Sequence, residues 1–516
     1  DLIAQWQGLD AEIVASSGDT GGAERRKALR RAQEQLDSDL DAVEQKLSAE
    51  FPRYAELADA RPLSLKVARE LLDPDEALVV FLMGDDDGLV WVVTREGAHW
   101  SRLLYGEGFM RTYVTGLRCG LDAESWLDPG KAETCAKLLQ ERGISYDLKS
   151  YESGTPLPFY LDAAYLLYRQ LFQDIAPFVE GKLLVVVPSG ALTQLPFQAL
   201  VTAKPDGETT FQDAQWMIRS HALTVLPSVS ALKGLRQLER AEPAPRPYFG
   251  IGNPLLDGPD ERYEELAARA RERRACEGLR LLQVAAGRRG IRLARGVRLP
   301  RLREADVAHI RQQSPLPETA DEVCAVARKQ DASDPDVLLA AAATESEVKR
   351  LSADGVLAKY RILHFATHGA MAGELAGSAE PGLILTPPEE GNAHNDGYLS
   401  ASEIADLKLN ADWVILSACN TAAGAGEGAE ALSGLARSFF YAGARTLLVS
   451  HWAVASEPTV KLITGAFEAA ENAPGLARAE VLRRSMIAMI DEEDGALSHP
   501  EYWSPFILVG EGAARR

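Results

Sequence analysis

The stretch "YRILHFATHG" (360–369) is an apolar run that stops at a reactive side chain, and "ADWVILSAC" (411–419) repeats the pattern. Each reads as a strand buried on both faces, the kind found in parallel sheets covered by helices. Between them, "EPGLILT" (380–386) and "GYLSASEI" (397–404) form a short excursion, so the two runs are consecutive main strands of one sheet. His368 and Cys419 then fall on the carboxyl edge, where open α/β sheets hold their ligands. An imidazole within about 3 to 4 Å of a thiol can take its proton and later return it to a leaving group. The backbone N–H groups of Gly369 and Cys419 would form an oxyanion hole beside that pair.

Working outward, strands and helices alternate on both sides. "YFGIGNP" (248–254) opens the unit, and helix "ETADEVCAVARKQ" (318–330) follows. Helix "TESEVKRLSADGV" (344–356) has Thr344 and Glu347 at capping-box spacing. After Cys419 come the helix "ALSGLARSFFYAG" ending at Gly443, the strand "ARTLLVSHW", another helix, and a last strand "PFILVG". This alternation predicts a mostly parallel sheet with flanking helices over 245–516, carrying an arginine-rich insertion at 258–313. A second α/β unit is expected at 75–240, with the hairpin "ALVVFLMG" and "LVWVVTREG" and the buried-type strand "KLLVVVPSG". Residues 1–60 carry apolar positions at helical spacing (Leu29, Ala32, Leu36, Leu40, Val43, Leu47) broken by "SSGDTGG", which predicts a helical hairpin of the kind that can end a repeat array.

The chain has 516 residues, 46% of them hydrophobic, enough for more than one core. Its formal charge of -20 would repel a phosphate backbone, which argues against nucleic acid and for protein partners. No apolar run reaches the length of a membrane span, so a cytoplasmic protein with no membrane role is expected. The five cysteines are scattered without CxxC pairing, which predicts reduced thiols, no disulfide framework and no metal site. No cofactor is expected.

A lone cysteine or histidine at a strand end is ordinarily core. The pair differs, because 419 − 368 = 51 residues matches the roughly 50-residue spacing between histidine and nucleophile in caspase-type proteases. The Q-A-C-x-G signature of caspases is absent, since Ser417, Ala418, Cys419 and Asn420 stand there.

With "LSASEIADLKLNADWVILSACNT" (399–421), "GLARSFFYAGARTLLVSHWAV" (434–454) and "HPEYWSPFILVGEG" (499–512), the chain resembles the CHAT domain, a caspase-like cysteine protease family related to separase and often preceded by tetratricopeptide repeats. Upstream segments, among them "LLVVVPSGALTQLPFQAL" and "TVLPSVSAL", extend the resemblance over roughly residues 60–512. It implies that His368 and Cys419 are the catalytic dyad of an endopeptidase, that 75–240 is a non-catalytic protease-like companion, and that a protein is the substrate. An upstream repeat region or an activating partner would supply the control. The rival expectation is a catalytically silent interaction module that keeps the fold for binding.

Relatives commonly carry Asp soon after the tryptophan of this motif, whereas here His451, Trp452, Ala453, Val454, Ala455, Ser456 and Glu457 follow Ser450. Asn253, Ser417, Trp452, Ser456 and Glu457 are the candidates for substrate binding. Without a fixed carboxylate the pocket cannot reward a desolvated Arg or Lys, so a neutral or apolar residue is expected before the cleaved bond. His364 is expected to be a core or supporting histidine, and Asp396 or Glu403 a group that orients His368.

Overall fold

A computed structural model describes residues 63–513 apart from 154, 238–241, 277–304, 334–335, 371–374, 376–379, 393, 418–429 and 453–455, and, for backbone only, 124, 430–433 and 456. The expected helical hairpin at 1–60, most of the arginine-rich insertion and Cys419 itself lie outside these residues.

Residues 63–516 form one compact unit. Its first part supplies α1 (Leu65–Leu71), β1 (Glu76–Met83), β2 (Gly88–Val93), β3 (Ala98–Leu103), α2 (Glu107–Arg118), α3 (Pro129–Gln140), α4 (Leu161–Phe172), β4 (Leu183–Val187), β5 (Leu223–Val225) and α5 (Val229–Gln237). The second part supplies β6 (Arg246–Gly252), α6 (Glu264–Glu272), α7 (Val307–Arg311), α8 (Glu318–Lys329), β7 (Val337–Leu339), α9 (Glu345–Ala353) and β8 (Tyr360–Ala366). Then come β9 (Gly369–Ala370), β10 (Gly382–Ile384), β11 (Tyr398–Ser400), β12 (Trp413–Leu416), α10 (Glu430–Ala442), β13 (Thr446–Ser450), α11 (Ser456–Asn472), α12 (Arg478–Ile490) and β14 (Phe506–Gly510).

An 11-stranded sheet in the order β3-β2-β1-β4-β5-β14-β13-β12-β8-β6-β7 runs through both parts. Strands β13, β12, β8, β6 and β7 are mutually parallel, as are β1, β4, β5 and β14. The two blocks meet head to tail, because β14 pairs antiparallel with β13 and parallel with β5. The fold is therefore mixed α/β with a mostly parallel central sheet and flanking helices. Every residue of β4, β12, β13 and β14 is buried, as a sheet covered on both faces requires. The excursion between β8 and β12 is a separate antiparallel sheet in the order β11-β10-β9.

Local chemistry sets several boundaries. Thr344 caps α9, its hydroxyl accepting from the Glu347 N–H, and Asp128 caps α3 ahead of a proline in the first turn. After α10 the chain turns at Gly443 with φ +114°, where a Cβ would strike the Leu409 carbonyl oxygen, so only glycine fits.

Four of the five cysteines correct the expectation of free thiols. Cys119 pairs with Cys135 and Cys276 with Cys324, with Cα atoms 5.5 and 5.3 Å apart. Their sequence separations of 16 and 48 residues carry no motif, so tertiary packing alone brings them together. The first pair sits in a small core cluster with Trp126, Leu139 and Tyr146.

Candidate active site

β8 and β12 are adjacent and parallel, with Trp413 opposite Ile362 and Leu416 opposite Phe365. The Ser417 N–H continues this ladder onto the Phe365 carbonyl at 3.1 Å. Both chain segments therefore leave the sheet on the same edge, one toward His368 and the other toward residue 419.

His368 is partly buried, and its Nε2 lies 2.7 Å from the carbonyl oxygen of Ser314, in the turn after α7. A carbonyl only accepts, so Nε2 carries the proton and the lone pair of the neutral ring falls on Nδ1. Burial pushes the imidazole pKa below its usual value, against a smaller opposing pull from the Ser314 carbonyl. The ring is thus a neutral base with its tautomer fixed. Asp396 and Glu403, candidates for that orienting task, are engaged elsewhere. The Asp396 carboxylate accepts from the backbone of Ala305 and Tyr398, and Glu403 caps its own helix and pairs with Lys349.

Ile384 N–H donates to the His368 carbonyl at 2.9 Å, and Gly369 faces Leu383 in the β9–β10 register. Antiparallel ladders alternate hydrogen-bonded and open pairs, so the Gly369 N–H points away from β10. That N–H, one residue after His368, is therefore not spent on the β9–β10 ladder.

Of the other candidate positions, Asn253, Trp452 and Ser417 have partners of their own. Asn253, at the end of β6, is fully buried with φ +50°, and its amide donates to the carbonyls of Ala270 and Arg273 at the end of α6. Trp452 is buried under the Arg118 guanidinium, 5.8 Å from the ring centroid, and its indole N–H reaches the Glu501 carbonyl. Glu457 is exposed in the first turn of α11, and the side chain of Ser456 is outside the described residues. Ser417 is partly buried, and its hydroxyl lies 2.9 Å from Nε2 of His364, on the sheet side.

His364 has further partners that the sequence did not single out. Its Nε2 lies 3.0 Å from Glu322 Oε1 on α8, and its Nδ1 lies 2.8 Å from the Tyr248 hydroxyl on β6. A signal for Glu322 existed, since Thr319, Glu322, Val323 and Val326 share one helical face and all four are buried. A carboxylate inside an apolar stripe asks for a partner. Ser314 acts through its backbone and leaves no such mark.

A family model described as the CHAT domain matches residues 161–511, about two thirds of the chain. Among curated proteins none matches. The separase of Saccharomyces cerevisiae, crystallised with securin, is similar in structure at TM-score 0.41 and 12% identity, covering 86% of this chain and 31% of its own. The Porphyromonas gingivalis RgpB pro- and mature domains give TM-score 0.33 and 8% identity, with 79% of this chain and 76% of theirs covered. The chain thus spans about a third of the separase it matches, and likenesses this distant say nothing of activity.

Proposed function

The chain belongs to the CHAT domain family, and from that membership together with the state of His368 we propose that it is a cysteine endopeptidase acting on a protein substrate. The observation that carries the reading is the Ser314 carbonyl on Nε2, which leaves Nδ1 deprotonated and free to act as a base. Cys419 gives its proton to Nδ1 and its sulfur adds to the peptide carbonyl. The oxygen that becomes negative is met by the Gly369 N–H and by that of Cys419. The C–N bond then breaks as Nδ1 hands the proton to the leaving amine, and water hydrolyses the thioester by the same route, restoring the thiol.

The residue before the cleaved bond is neutral or apolar in this reading. Trp452 is buried beneath an arginine, and no acidic side chain follows it before Glu457, which is exposed. An activating partner or an upstream region governs the reactive thiol.

The test is incubation of the protein with a peptide library and with candidate proteins, followed by mass-spectrometric mapping of new termini. Wild type is expected to create termini after neutral or apolar residues and Cys419→Ala to create none. Equal termini from both proteins would refute the dyad, and cleavage confined to Arg or Lys would refute the specificity. Unaltered protein binding by both, with no cleavage under any partner, would favour the silent module.

A further inference from the structure

Four polar side chains meet in the apolar interior beneath the site. Tyr248 and His364 are fully buried and Glu322 is 3% exposed, while the fourth member, Ser417, stands at the end of β12. Burying such groups is costly unless they satisfy one another, so their placement here must be read through their mutual hydrogen bonds.

The hydrogen bonds within it are mutually consistent. The Tyr248 hydroxyl lies 2.8 Å from Nδ1 of His364 and 3.4 Å from the Val323 carbonyl oxygen. A carboxylate only accepts, so with Glu322 Oε1 at 3.0 Å and Ser417 Oγ at 2.9 Å it is Nε2 that carries the ring proton, and Nδ1 is left to accept from the tyrosine. The backbone is shaped to admit the cluster, because a Cβ on Gly250, opposite His364 on β6, would collide with the Tyr248 hydroxyl and with Val323 of α8. One histidine thus joins β6, β8, α8 and the end of β12.

We propose that Tyr248, Glu322, His364 and Ser417 form a positioning network that fixes the cysteine-bearing strand end against the histidine-bearing one. The inference rests on the dyad reading given above and assigns Ser417 to support from within rather than to the substrate pocket. β8 carries His368 at its exit, and four residues earlier His364 grips Ser417, two residues before Cys419. Ser417 is held twice, by its N–H on the Phe365 carbonyl and by its hydroxyl on His364. Both reacting groups therefore take their position from the same strand. A base and a nucleophile lose reactivity steeply when their separation drifts, which is what this double attachment prevents.

The test is the rate at which iodoacetamide alkylates Cys419 in the full chain at neutral pH, read by mass spectrometry of the peptide that contains it. Ser417→Ala is expected to slow alkylation about tenfold, the value of one buried hydrogen bond, with an unchanged thermal midpoint. Ser417→Thr, which keeps the hydroxyl, recovers most of the rate. Glu322→Gln provides a second, independent disturbance of the same network and slows alkylation as well. If His368→Ala slows alkylation while Ser417→Ala leaves it at the wild-type rate, the network proposal fails and the dyad stands. If His368→Ala also leaves the rate unchanged, the dyad fails and the network proposal falls with it.

Discussion

Nε2 of His368 sits 2.7 Å from the main-chain oxygen of Ser314, a residue that follows the arginine-rich segment in the chain. The base is held by backbone rather than by a carboxylate, so it gains orientation without the charge that would raise its pKa. Burial acts in the opposite direction and lowers it.

The acid limb of the pH–rate profile should therefore lie below the ordinary histidine value of about 6.5. With the pKa depressed, the ring is already neutral at that pH and becomes protonated only on further acidification. Measuring kcat/KM for a cleaved peptide between pH 4 and 8 (roughly the span of histidine titration) checks this. A limb centred above the ordinary value would contradict the buried, neutral base.

Acid should also weaken the fold. Burial, followed by the charge of Arg118, pushes the His451 pKa down to about 3, and burial pushes that of His499 down to about 4. Both values lie below the unfolded value, so the unfolded chain binds the extra protons first and stability falls as pH drops below about 6.5. The loss approaches about 1.4 kcal/mol per pH unit for each ring and levels off below the folded values. Among the described residues, both ring nitrogens of His451 are buried without a hydrogen-bond partner. His451→Leu should then hold or raise stability at neutral pH and flatten its acid dependence, as followed by urea unfolding at several pH values. A loss of several kcal/mol at neutral pH would show that the imidazole has a partner after all.

The disulfides give a direct prediction. Cross-linking Cys119 to Cys135, at a sequence separation of 16, restrains the unfolded chain by about 3 kcal/mol. Cys119→Ser with Cys135→Ser should lower the thermal midpoint of the oxidised protein by several degrees, and reductant should lower the wild-type midpoint in the same way. Rapid labelling of both thiols in native, unreduced protein would rule the bond out.

A buried charge cluster ties the two parts of the sheet together. Arg236 on α5 pairs with Glu76 at 2.6 Å and with Glu511, just past β14, at 3.2 Å. Glu76 is 1% exposed, and burial raises its pKa despite the arginine. Arg236→Ala would strand that carboxylate and should cost about 3 to 5 kcal/mol at neutral pH in urea unfolding, whereas Arg236→Ala combined with Glu76→Gln should recover part of it. An equal loss in the double variant would mean that packing, not charge, accounts for the cost.

The main strands were legible because long apolar runs such as "LLVVV" and "WVIL" admit few other readings, and the exits of β8 and β12 on one edge followed from their parallel order. The reversed direction of β14 was not, since a strand with both faces buried looks the same whichever way it pairs. Within the site, His368 stood out as a side chain, but the Ser314 oxygen acts through the main chain and has no sequence signature. His364, on a buried strand, reads as a core or supporting histidine. Its partners Tyr248 and Glu322 lie 116 and 42 residues away, a distance only the tertiary fold spans. The cysteine pairs escaped for the same reason.

The place of β14 in the sheet has a consequence for biosynthesis. Until residues 506–510 emerge from the ribosome, β5 and β13 each lack the neighbour that later lies between them, and the two parallel blocks remain unjoined. A growing chain thus carries the segments around residues 368 and 419 long before its central seam can close. Translation order itself delays assembly of the finished sheet until this strand has been made.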